Sequence, residues 1–163
     1  MAEAGGRRAR TKTTGKRASS AWPGFITAHD ALVARIEERL RAAGLPDLSW
    51  YIVLWVLERA PEQRLRMHEL ADTAVIARSN LTRLVDKLEK NGLVVRERVA
   101  DDRRGAYARI TERGREMRSR MWTVYGPAIE ELFLRHLTEA ENALLREIMM
   151  RLLATVRGQE PGL

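Results

Sequence analysis

Residues 67–114 read MHELADTAVIARSNLTRLVDKLEKNGLVVRERVADDRRGAYARITERG, and the succession of periods in this stretch decides the fold. Met67 to Thr73 suits a short helix. Arg78 to Asn91 predicts a longer one, with Leu81, Leu84, Val85 and Leu88 recurring on one face at three- and four-residue steps. Asn91-Gly92 ends it, because glycine adopts the left-handed conformation that closes a helix. The period then drops to two. Leu93 to Val99 is short and β-branched, Asp101-Asp102-Arg103-Arg104-Gly105 reads as a polar turn, and Ala106 to Ile110 alternates as a returning strand. Short helix, turn, amphipathic helix and charged hairpin are the parts of a winged helix-turn-helix, in that order.

The chemistry of the exposed positions agrees with that order. The second helix of such a pair fits the major groove of duplex DNA and presents the side chains of its N-terminal half. Here that half carries Arg78, Ser79, Asn80, Thr82 and Arg83, with Lys87 one turn on. Arginine pairs bidentately with guanine and asparagine with adenine, so the set has base-reading chemistry. A hairpin tipped with Arg103 and Arg104 reaches the adjacent minor groove, whose negative potential favours a guanidinium. Residues 76–111 hold nine basic side chains against five acidic ones. Arg78, Asn80, Thr82 and Arg83 are expected to face bases or nearby phosphates, Ser79 and Lys87 to meet phosphate, and Arg104 to read the minor groove.

Helices flank this unit on both sides. Upstream, Phe25, His29, Leu32, Ile36 and Leu40 mark a first helix that Gly44 and Pro46 end. Asp47 or Ser49 is expected to cap a strongly apolar second helix through Tyr51, Leu54 and Leu57, which Ala60-Pro61 breaks. Downstream, Thr111 caps a long helix carrying Met117, Met121, Val124, Ile129, Leu132 and Phe133, in which Gly126-Pro127 predicts a kink. Thr138 and Glu141 form a capping box for the last helix. Its apolar stripe, Leu144, Leu145, Ile148, Met149, Leu152, Leu153 and Val156, is wide for the terminal helix of a small monomer, and burial against a second copy would account for it.

Composition excludes whole classes of function. The 163-residue chain is 45% apolar, enough for a core, and lacks cysteine, which removes disulfide, thiolate-zinc and thiol-redox chemistry. No apolar run approaches the ~18–20 residues that span a bilayer, and no apolar signal segment opens the chain, so a soluble cytoplasmic protein without a membrane partner is expected. Of the formal charge of +7, most sits in residues 1–20, where six Arg and Lys face Glu3 alone. That stretch reads as a disordered basic arm, either a solubilising leader or a phosphate-seeking one. His68-Glu69-Leu70-Ala71-Asp72 echoes a zinc-protease helix, but Asp72 stands where the second histidine belongs. His29, His68 and His136 are scattered, and no phosphate loop or Ser-His-Asp set is legible. No enzyme, metal or cofactor is expected.

At Leu70-Ala71, Arg78 to Glu89 and Gly92-Leu93-Val94, the sequence resembles the MarR family of bacterial transcriptional regulators. The family's wing signature, Asp-x-Arg, five residues, Leu-Thr, is matched by Asp102-Arg103-Arg104 through Ile110-Thr111, with Ile for Leu and with Gly114 following. The resemblance spans roughly residues 25–157. It implies a mainly α winged-helix homodimer with a small β-hairpin wing, whose N- and C-terminal helices form the dimer interface. It implies Arg104 as the wing arginine and Asp102 as the carboxylate that orients it. Ala77 departs from the Ser or Thr that opens the recognition helix in many relatives, and the basic arm lies outside the likeness.

The resemblance also places the first two helices beside a cavity, where His29, Trp50 and Tyr51 are candidates to hold a small aromatic or lipophilic effector. The domain organisation expected is a disordered basic arm (1–21), an N-terminal dimerisation helix (22–47), a winged helix-turn-helix (48–111), C-terminal dimerisation helices (112–157) and a flexible tail (158–163). The function expected is a homodimeric regulator, in this family most often a ligand-responsive repressor, on a near-palindromic operator. The alternatives are a non-specific architectural DNA binder and an interaction module on the same fold.

Overall fold

The computed structural model describes residues 20–99 and 102–158, with side chains for all of these except 98–99 and 102–105. Residues 1–19 of the basic arm and 159–163 of the tail lie outside the described residues. Among these described residues, six α-helices and three strands follow in the order α1 (Trp22–Ala42), α2 (Leu48–Arg59), β1 (Arg64–Arg66), α3 (Met67–Ala74), α4 (Arg78–Lys90), β2 (Val94–Val99), β3 (Asp102–Ile110), α5 (Glu112–Leu132) and α6 (Glu139–Val156). The fold is mainly α with a small antiparallel sheet, as the sequence predicts.

Two differences concern the sheet. It has three strands in the order β1-β3-β2, not two. β1 pairs with β3 in the register Arg64↔Arg109, Leu65↔Ala108, Arg66↔Tyr107. It follows a 3-10 turn at Pro61–Gln63. The hairpin is also longer than its sequence suggests. Asp102 to Gly105, read as turn, run as strand, because Val99 pairs with Asp102 across a register shift after Arg98. The charged segment joins the ladder through Asp102, and the regular register resumes at Ala106.

α2 is the centre of the molecule. It buries Leu48, Tyr51, Val53, Leu54, Val56 and Leu57, so it is apolar on most sides, as a helix enclosed by others must be. One side joins Leu70, Ala71, Leu81, Val85, Leu88, Leu93, Val94, Ala108 and Ile110 in the core of the helix-turn-helix. The other joins Ile36, Leu40, Met121 and Ala128 of α1 and α5. Trp50 and Met117 pack against both clusters. Asp47 holds the N-cap position of α2 with an extended backbone, but no side chain caps the helix. Neither Asp47 nor Ser49 plays that part.

Other ends follow their sequence signals. Gly44 and Gly92, at φ +67° and +70°, close α1 and α4 in the left-handed region. Thr111 Oγ1 accepts the Gly114 N–H at 3.1 Å and opens α5. Thr138 Oγ1 accepts the Glu141 N–H at 3.3 Å while Glu141 accepts the Thr138 N–H at 2.8 Å, completing the capping box of α6. α5 passes Gly126 and Pro127 without interruption. Gly126 leaves room for Trp122, whose ring lies 3.0 Å from where a Cβ would stand.

α6 has no buried residue. Leu144, Met150, Leu152 and Val156 are more than half exposed, and so is Trp22 on α1, with Phe25 and Ile26 near 40%. Two apolar helix faces thus stand open at the ends of the described chain.

Candidate nucleic-acid interface

The recognition helix is presented by a short helix and a strained turn. α3 starts at Arg66, whose backbone N–H donates to Glu69 Oε2 at 2.9 Å. It ends at Val75 with φ +55°, an unusual left-handed conformation for a β-branched residue. The Ile76 N–H then donates to the Ala71 carbonyl at 3.0 Å, and the chain re-enters helix at Arg78. Ala77 occupies the N-cap of α4 and no side chain caps it. This agrees with the expectation that alanine forfeits the usual hydroxyl partner.

α4 divides cleanly by side. Leu81, Val85 and Leu88 are buried at 1% exposure or less and fix the helix to the core. Arg78, Ser79, Asn80, Thr82, Arg83 and Lys87 are all exposed, so the structure brings every helix residue picked from the sequence onto one solvent-facing surface. Thr82 Oγ1 donates to the Arg78 carbonyl at 3.0 Å, which holds the hydroxyl near the backbone with its lone pairs open. Asp102, Arg103 and Arg104 have backbone positions in β3, and their side chains lie outside the described residues.

The wing is tied down at its base. Thr111 Oγ1 donates to the Gly92 carbonyl at 2.7 Å, so one hydroxyl closes α4 and opens α5. Gly114 is buried directly against the Leu93 carbonyl oxygen. Farther out, Arg96 of β2 reaches across to α4 and meets Asp86, Glu89 and the Thr82 carbonyl. The sequence reading assigned Arg96 no part. Its seven-residue separation from Glu89 becomes a contact only when the strand folds back along the helix.

The outer face of the sheet carries a second charged group. Tyr107 lies under the Arg64 and Arg66 guanidiniums at 4.9 and 5.5 Å. Glu97 pairs with Arg64 at 3.2 Å and with Arg109 at 3.0 Å. Among the described residues no group of three or more metal-ligating side chains could hold a metal ion, and no helix is long and apolar enough to cross a membrane.

The effector candidates separate. Tyr51 is buried and sits in an aromatic group on α2 and α5, stacked on Trp122 at 6.0 Å and edge-on to Tyr125 at 4.8 Å. Burial pushes the Tyr51 and Tyr125 phenols above their ordinary pKa. Arg118, paired with Glu58, stands beside Tyr51. Trp50 is half-buried between the two cores. His29 lies on the exposed side of α1, with Asp30 Oδ1 at 3.0 Å from its Nδ1 and Phe25 as its ring neighbour. The structure therefore brings Tyr51 together with Trp122 and Tyr125, not with His29. Their spacing on α5 marks Trp122 and Tyr125 as neighbours of each other, but nothing local in the sequence joins them to α2.

Comparison with known proteins matches this geometry. A sequence profile of the MarR family matches residues 43–105. The transcriptional regulator FarR of Neisseria gonorrhoeae is 31% identical over 129 residues, covering 79% of this chain and 81% of FarR. The homoprotocatechuate degradative operon repressor of Escherichia coli is 27% identical over 66% of this chain and 71% of its own. The crystal structure of Sco3205, a MarR family transcriptional regulator from Streptomyces coelicolor in complex with DNA, superposes with a TM-score of 0.79 at 31% identity, over 92% of each chain.

Proposed function

Since the chain belongs to the MarR family of winged-helix, DNA-binding transcriptional regulators, we propose that it acts as a homodimeric repressor on a near-palindromic operator. The observation that carries this reading is α4, which is anchored by Leu81, Val85 and Leu88 and offers Arg78, Asn80, Thr82 and Arg83 to solvent. These four meet base edges or adjacent phosphates, Ser79 and Lys87 meet phosphate, and Arg104, oriented by Asp102 and flanked by Arg103, enters the minor groove. The open apolar faces of α1 and α6 support dimerisation through the chain's two ends. Two recognition helices on one face of the duplex place half-sites about 10–10.5 bp apart, centre to centre. The repressor sign follows the named repressor among the relatives.

A small aromatic or lipophilic effector fits the rings gathered around Tyr51, with Trp50 beside them. It acts by favouring a dimer whose helix spacing no longer matches the operator. Selection of bound sequences from random duplex DNA by the full chain tests the core of the proposal. The expected product is a two-fold symmetric site with that spacing. Retention without sequence enrichment would point instead to an architectural DNA binder, and no retention to an interaction module.

A further inference from the structure

We propose that Arg96 is the positioning residue that fixes the wing against the recognition helix. The proposal rests on the reading of α4 and the wing as the pair that contacts DNA. Arg96 stands midway along β2, paired with Ala108 of β3, and its side chain leaves the sheet toward α4. Nη1 lies 2.6 Å from Asp86 Oδ1 and 2.9 Å from Glu89 Oε2. Nη2 donates to the Thr82 carbonyl at 3.3 Å. The backbone N–H of Arg96 donates to the other oxygen of Glu89 at 3.1 Å. Thr82, Asp86 and Glu89 are spaced i, i+4 and i+7, so they form one ridge along the helix. The strand is pinned to that ridge by side chain and main chain together.

A single surface ion pair contributes little. This arrangement differs in that one planar fork meets three acceptors on successive turns, a geometry that a lysine ammonium does not reproduce. Two consequences follow for DNA. β2 carries the wing outward from the core, so the clamp sets how far the hairpin tip stands from the recognition helix. Asp86 and Glu89 are the two acidic side chains of α4, and Asp86 is exposed one turn beyond Thr82 and Arg83. Arg96 offsets part of the negative charge that would otherwise oppose phosphate.

A double-mutant cycle on the selected operator tests the proposal. Arg104→Ala is expected to weaken binding roughly tenfold in the native background. Arg96→Ala is expected to weaken it by a similar factor. In the Arg96→Ala background the further loss from Arg104→Ala should fall short of tenfold by more than the about twofold within which independent sites add. Arg96→Lys keeps the charge without the fork, is expected to follow Arg96→Ala, and carries the same cycle should the alanine variant fail to fold. Full tenfold losses from Arg104→Ala in both backgrounds, or unaltered binding by Arg96→Ala, would overturn the clamp. A harmless Arg104→Ala in the native background would overturn the wing reading, and the clamp with it.

Discussion

Gly114 occupies a place that admits no side chain. It is buried where the first turn of α5 crosses the base of the wing, and an added Cβ would overlap the Leu93 carbonyl oxygen and come within 2.7 Å of Ile110 Cγ1. One neighbour is backbone and the other is a core side chain at 2% exposure, so neither yields easily. Gly114→Ala is expected to destabilise the fold by roughly 1–3 kcal/mol, the usual range for overpacking, measured by thermal or denaturant melting. The sequence shows Gly114 only as part of a wing signature. The reason for it, a helix pressed onto a strand end, is a contact between segments. Arg96 and the pair Trp122 and Tyr125 escaped the sequence reading for the same reason. In contrast, the exposure of Arg78, Ser79, Asn80, Thr82, Arg83 and Lys87 was legible, because a helix with a strong apolar face leaves only one side for its polar residues.

At the scale of elements, Thr111 joins three of them. Its hydroxyl donates to Gly92 at the end of α4 and accepts from Gly114 at the start of α5, directly after β3. Thr111→Val keeps the shape and removes both bonds. A loss of about 0.5–2 kcal/mol is expected in the same melting experiment, with Thr111→Ser retaining most of the stability. The elements themselves were legible where a period or a cap marks them, as in α1, α3, α4, α5 and α6. β1 was not, because Arg64-Leu65-Arg66 is too short to show alternation and becomes a strand only by pairing with β3. The cap of α2 was misjudged for a related reason. Asp47 has the right type and place, yet the helix is held by burial on both sides rather than by its first turn.

For the whole molecule, cations concentrate in the basic arm, α4 and the wing, while α1 and α6 expose apolar side chains such as Trp22, Leu144 and Met150 beside arginines of their own. If the arm meets phosphate, deleting residues 1–20 removes up to six basic contacts. The slope of log affinity against log salt is then expected to flatten by up to about 0.9 for each one. Titrations of the full and shortened chains at several salt concentrations check this, and an unchanged slope assigns the arm to solubility alone.

α5 runs from the foot of the wing to the far side of the α1–α2 core as 21 continuous helical residues, Pro127 among them. At about 1.5 Å per residue such a helix is up to roughly 31 Å long, so a swing of about 5° about one end carries the other through at most ~2.7 Å, close to the ~3.4 Å between successive bases of a strand. In the proposed dimer this amounts to gearing: a slight turn where two copies meet would become nearly a full step of misfit along the groove.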